Sequence, residues 1–276
     1  MKTLNLIMKI LVVVALTSFT FTGCKKADSV DDDATVAIEN EESESVANDA
    51  DNMADNAAKG TKVNKTDDAY ELLTSPCAQI THDTVAIPHV LTIDFGATDC
   101  LCLDGRYRRG KIIISYTGHY FDAGSVRTMT FDGYYVNQTH HEGTRTITNN
   151  GLNASGNYTW SIHAVNMKHT KANGNWHQWN SDRTREMTAG YGTPAWLDDV
   201  YSITGTADGN NHNGVTRHLE TTTPLVRSLN CHWIESGVVV ITPSNKPART
   251  LDFGNTGCDA NATVTINGHT HNITLH

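Results

Sequence analysis

Around Tyr158 the chain alternates with a period of two. Tyr158, Trp160, Ile162 and Ala164 are apolar, while Thr159, Ser161 and His163 between them are polar. That rhythm predicts a strand with one buried face. Runs rich in Thr, Val, Ile and Tyr recur at 111–117, 126–131, 144–148, 200–206, 215–221 and 238–241. Between them stand Asn-Gly at 150, 173, 213 and 267 and Asp-Gly at 104, 132 and 208, dipeptides suited to the positive φ of tight hairpin turns. No stretch keeps a helical apolar period over several turns; 67–73 is the one candidate for a short helix. Residues 67–276 are therefore expected to form one all-β domain, an antiparallel meander of a dozen or more strands. A two-sheet sandwich, a strongly curved sheet and a closed barrel all fit this pattern.

The ends of that domain repeat. Cys77-Ala-Gln-Ile80 leads to Thr92-Ile93-Asp94-Phe95-Gly96 and Cys100, and Cys231-His-Trp-Ile234 leads to Thr250-Leu251-Asp252-Phe253-Gly254 and Cys258. The framed segments, 77–100 and 231–258, suggest disulfides Cys77–Cys100 and Cys231–Cys258, each worth about 3–4 kcal/mol by loop entropy. Cys102 is left over, and a pairing with Cys102 in place of Cys100 stays open. The duplication suggests that the two copies lie side by side and pair the first strand with the last. Within each Asp-Phe-Gly, the Phe is expected to bury and the Asp to bond amides of the following turn. The Gly would then take the unusual φ.

Before the domain the composition changes. Lys2 and Lys9 precede an apolar run over 10–21, too short for a membrane span, which ends Phe21-Thr22-Gly23-Cys24. This resembles a bacterial lipobox, with residues 1–23 as signal peptide and Cys24 as the lipidated N-terminus. Residues 24–66 are rich in Asp, Glu, Ala, Asn and Ser, and carry Asp31-Asp32-Asp33 and Glu41-Glu42-Ser-Glu44. Such a segment is expected to be a disordered, self-repelling tether. The lipobox, the acidic segment, the Cys-framed Asp-Phe-Gly repeat, Gly143 to Gly151 (GTRTITNNG) and Ile203 to Ala207 (ITGTA) together resemble an uncharacterised lipoprotein group of the Bacteroidota. The resemblance implies attachment to the cell envelope through lipid, in the outer membrane, facing either the surface or the periplasm. It implies no activity.

Charge and candidate chemistry narrow the function only in part. With 30 Asp and Glu against 21 Lys and Arg, the net charge is −9. No basic cluster stands out, which argues against nucleic acid as a partner. Fourteen histidines include His269-Thr-His271, placed on one face of the last hairpin beside Val264 and Ile266. With a third ligand such as His140, His141 or His232, this pair is a candidate for zinc or copper. Adjacent His140 and His141 would point to opposite faces of a strand. Trp176, Trp179, Tyr191 and Trp196 form an aromatic-rich stretch that would stack on sugar rings, with Asp182, Arg183 and Arg185 bonding hydroxyls. No cofactor motif and no nucleophile elbow occurs. The expected function is that of a non-enzymatic envelope lipoprotein, a binding or structural module with a glycan or protein partner. A glycan hydrolase and a histidine-based metal binder are the alternatives.

Overall fold

In the computed structural model of the chain, the described residues are 33–59, 77–193, 197–255 and 257–275. The signal peptide, Cys24, the 67–73 segment and Trp196 lie outside them. The domain is all-β, as the alternation predicts. Fourteen antiparallel strands form one curved, unclosed sheet: β1 (Gln79–Asp83), β2 (His89–Asp94), β3 (Cys100–Leu101), β4 (Tyr107–Tyr116), β5 (Val126–Val136), β6 (Thr139–Leu152), β7 (Tyr158–Thr170), β8 (Trp176–Ala189), β9 (Val200–Asn211), β10 (Thr216–Ser228), β11 (Ser236–Pro243), β12 (Arg249–Asp252), β13 (Asn261–Ile266) and β14 (His269–Thr274). Each strand pairs with the next in sequence, except that the short β3 pairs only with β4, so β2 lies directly beside β4. The curved-sheet option is the one realised. β1 and β14 are the two edges and do not pair with each other, contrary to the expected closure by the repeats. Each repeat instead staples its own hairpin.

The cysteines pair as the duplication suggests. Cys77 and Cys100, and likewise Cys231 and Cys258, sit at disulfide distance, with Cα atoms 5.7 and 5.5 Å apart, and Cys102 is buried and free. The two Asp-Phe-Gly turns are built alike. Asp94 and Asp252 each accept a 2.8 Å bond from the amide two residues on, at Gly96 and Gly254. Those glycines have φ of 82° and 79°, and Phe95 and Phe253 are buried. The carboxylates are thus used up by turn geometry.

The largest departure from expectation lies before the sheet. Residues Thr35–Lys59, expected as part of a disordered tether, form a 25-residue helix, α1. Asp33 accepts the Thr35 amide at 3.0 Å and caps its start. Alanines at 37, 47, 50, 54, 57 and 58 supply helix propensity. From Val36 to Ala54 every residue is at least partly buried. A stretch covered all round while carrying six acidic residues and no basic one must have charged partners in its surroundings.

Two apolar clusters flank those partners. One, around Trp160, Tyr201, Leu219, Val239 and Val264, takes in Val36 and Ala37 of α1. The other, around Leu91, Ile93, Ile112, Ile114 and Met129, takes in Ala50, Met53 and Ala54. Replacing both Cys231 and Cys258 by Ser opens a loop with a sequence separation of 27. That change is expected to cost about 3–4 kcal/mol of stability in denaturant titrations while leaving the far-ultraviolet β signature unchanged.

Candidate functional site: an arginine-lined face around an acidic helix

The face of the sheet that meets α1 carries basic residues at positions that the strand period assigns to the interior. Arg108 on β4, Arg127 on β5, Arg145 on β6, Arg183 and Arg185 on β8, Arg217 and Arg227 on β10, and Arg249 on β12 are all buried. Their partners follow one another along α1. Near its start, Lys246 holds Asp33. Glu39 meets Arg217 Nη1 at 2.9 Å and Asn211 Nδ2 at 3.1 Å. Glu44 bonds Arg183. Asp49 accepts Arg108 Nη2 at 2.7 Å, and Asp104 accepts the same Nη2 at 2.6 Å and Nη1 at 2.8 Å. Asp51 is gripped by Arg145 in a two-pronged pair, Nε at 2.9 Å and Nη2 at 2.8 Å. Arg185 Nη1 lies 3.9 Å from the same carboxylate. The forked geometry suits guanidinium and carboxylate, and a lysine would not reproduce it.

Burial sets the electrostatics. At Asp49 burial opposes the charge, but Arg108 and Arg106 prevail and the carboxyl titrates below its usual range. Glu39 goes the other way, because burial outweighs Arg217 and raises its pKa, and the same burial lowers that of Arg217. Arg227 is pulled down to about 10, chiefly by burial. Its Nη1 reaches Asn52 Oδ1 at 3.1 Å. A small cavity of about 30 Å³, with room for water only, lies between α1 and the sheet beside Asn40, Ser43, Arg145, Ser181 and Arg183.

Beside the arginines runs a row of imidazoles. His141, His169 and His177 are direct cross-strand neighbours on β6, β7 and β8, each at most 2 % exposed. Ring centres lie 4.2 and 5.0 Å apart, and Trp179 packs on His169 at 4.7 Å. His177 Nε2 meets Ser43 of α1 at 3.0 Å. Burial and nearby cations (Lys171 and Arg217 for His177, Arg106 and Arg108 for His141) keep all three neutral. His141 and His177 are lowered to about 3, and His169 falls well below its ordinary value.

The sequence-predicted site residues fare unevenly. His140 and His141 do face opposite sides: His140 stacks on Tyr135 at 4.5 Å, while His141 is buried. His269 and His271 pair with Ile266 and Val264, the register expected, but β14 is an edge strand and leaves His269 exposed and His271 half-buried. Among the described residues no three His, Cys, Asp or Glu side chains are arranged to hold a metal. The aromatic set does not assemble either. Trp179 is core, Trp176 is half-buried, and Tyr191 is 55 % exposed beyond the far end of β8. The fourteen-residue strand from Trp176 to the end of β8 covers roughly 45 Å at strand rise, so Trp176 and Tyr191 cannot share one sugar. Arg183 and Arg185 point inward and Asp182 outward, where it pairs with His163. The row of histidines and the arginine-lined face were missed. Their signal was arginine and histidine standing in the buried phase of alternating strands. Comparison with protein-family models, with curated proteins and with solved structures gives no match.

Two outcomes follow from this geometry. Asp51→Ala leaves Arg145 and Arg185 buried without their carboxylate and is expected to cost about 3–5 kcal/mol in denaturant titration. Glu42→Ala, which loses only the half-exposed pair with Lys171, should cost less than about 1 kcal/mol. The three histidines make stability depend on pH. Their folded pKa values lie below the unfolded value of about 6.5, so the unfolded chain binds protons first as pH falls. Their contribution is complete above pH 6.5 and is lost between there and about 3, by up to about 1.4 kcal/mol per histidine per unit. Melting temperature should therefore drop from pH 7.5 to 5, and His169→Leu should flatten that slope.

Proposed function

We propose that this chain is a non-enzymatic lipoprotein of the bacterial cell envelope, a binding module held to the membrane through lipid on Cys24. The supporting observation is the position of α1. The helix begins eleven residues after Cys24, and the sheet grips it through buried ion pairs on β4, β6, β8 and β10. Cys24 would thus sit only a short chain from a helix locked into the domain, no more than about 36–40 Å when fully extended. On this reading the acidic segment is a stem and not a long leash.

A non-enzymatic role fits the use of the carboxylates. Asp94 and Asp252 serve turns, while Asp49, Asp51 and Glu39 serve arginines, which leaves the duplicated acids no pairing of the glycosidase kind.

The test is Cys24→Ala. In cells fed labelled palmitate, the natural chain should take up label and sediment with the outer membrane. The variant should lose the label and move to the soluble fraction with its fold intact. A variant that still sediments with membranes and still carries label would overturn the reading.

A further inference from the structure

The face that wraps α1 is full, so a ligand of this domain must find its recess elsewhere. The outer face of β7 to β11 offers one of about 530 Å³. Its walls follow the strand register as two rows. Gln178, Asn210 and Thr216 are successive cross-strand partners in the first row. Asn180, Asp208, His218 and Thr242 are successive partners in the second. At about 4.8 Å between strands and about 7 Å between rows, this lattice is some 14 Å long, the reach of a short chain of rings and not of one.

The chemistry of the lattice is distinctive. It carries four amides, Asn166, Gln178, Asn180 and Asn210, where an ordinary exposed strand face carries Lys and Glu. Asn180 Oδ1 is fixed by the Asn166 amide at 2.7 Å, and Asn166 takes a left-handed φ of 51° to deliver it. The one carboxylate, Asp208, is matched by His218 Nδ1 at 2.7 Å. Arg217 at the floor is committed to Glu39. The recess therefore has many donors and acceptors, one carboxylate hydrogen-bonded to an imidazole, and a single cation beside it, Lys168, the cross-strand partner of Gln178. β9 closes on β8 at Gly209 so tightly that a Cβ there would lie 2.4 Å from the Gln178 carbonyl oxygen. Trp176 stands on the same face of β8, two positions before Gln178, with Lys168 Nζ 5.5 Å from its ring.

We propose that this recess binds a neutral oligosaccharide, with Gln178, Asn180, Asn210 and the Asp208–His218 pair bonding its hydroxyls and Trp176 stacking on a ring at one end. Amides donate and accept at once, as hydroxyl arrays require. An anionic ligand would need clustered free cations, and a protein partner would need an apolar centre, and the recess supplies neither. The assignment rests on the reading of this chain as a binding module and supplies the class of its ligand.

The experiment is calorimetric titration of the full chain in mild detergent with malto-, cello-, xylo- and manno-hexaose, and with hexagalacturonate as the charged comparison. At least one neutral hexaose should bind. Gln178→Ala/Asn210→Ala and Trp176→Ala should each weaken it tenfold or more at unchanged melting temperature. The assignment is overturned if no neutral hexaose binds at millimolar concentration, if the variants bind as well as the natural chain, or if only hexagalacturonate binds. Running the same titrations on Cys24→Ala separates this result from the anchoring test. Binding that survives in a chain that has lost its membrane attachment, and attachment without binding, are independent readings.

Discussion

The structure depends on the match between the carboxylates of α1 and the guanidiniums that face them. An isolated helix with this composition would be marginal in water, and α1 has no broad apolar stripe to dock with. The sheet for its part has guanidiniums in positions where alternation would ordinarily place aliphatic side chains. Each side answers the other's desolvation cost. Rotating or sliding α1 by a single residue would turn its carboxylates by about 100° and point them away from the arginines. The apolar contacts at its two ends, Val36 and Ala37 at one and Ala50, Met53 and Ala54 at the other, would tolerate such a shift far better. The polar belt between the clusters therefore sets the register of the helix, while the clusters supply most of the favourable burial.

That arrangement explains why the interior can hold three imidazoles with so little hydrogen bonding. Ser43 reaches only His177. Burial first, and then the surrounding cations Lys171, Arg217, Arg106 and Arg108, make protonation of the row costly, so it behaves as a set of neutral aromatic plates packed on Trp179. The same cations draw the acidic helix in. The positive interior thus attracts carboxylates and adds to the burial that keeps the histidines uncharged.

How much of this was legible follows from what single-sequence patterns measure. Alternation and turn dipeptides report local backbone preference, and they carried the strands, the hairpin of His269 and His271, the opposed directions of His140 and His141, and both Asp-Phe-Gly turns. The Cys spacing carried the pairings because the repeat compares the chain with itself. The helix escaped because Glu41-Glu42-Ser-Glu44 resembles a solvated run unless its partners are known, and those of Glu42 and Glu44 lie more than 100 residues away in sequence, at Lys171 and Arg183. The clue was present at Arg183 and Arg185, which share phase with buried Trp179 and Met187 on β8. Arginines in the buried phase of strands, in a chain with a separate acidic segment of high alanine content, indicate an internal partner. The aromatic grouping failed for the converse reason. Nearness in sequence along one long strand means distance in space, and alternation sends neighbours to opposite faces.

The two faces of the sheet meet where it is thinnest. Gly209 has no side chain, and β9 lies against the backbone of Gln178 and Trp179 there. Trp179, Asp208, Gly209 and Arg217 accordingly border both the small cavity beside α1 and the outer recess. Arg217 is the clearest link, since its guanidinium fixes Glu39 in the first half of the helix while its strand supplies His218 to the outer wall. A molecule seated outside would rest on the same short piece of β9 and β10 that holds α1 inside. Placing the amide-rich recess over that piece gives the domain one rigid floor for both contacts, built from strands pinned by buried ion pairs and not from a loop.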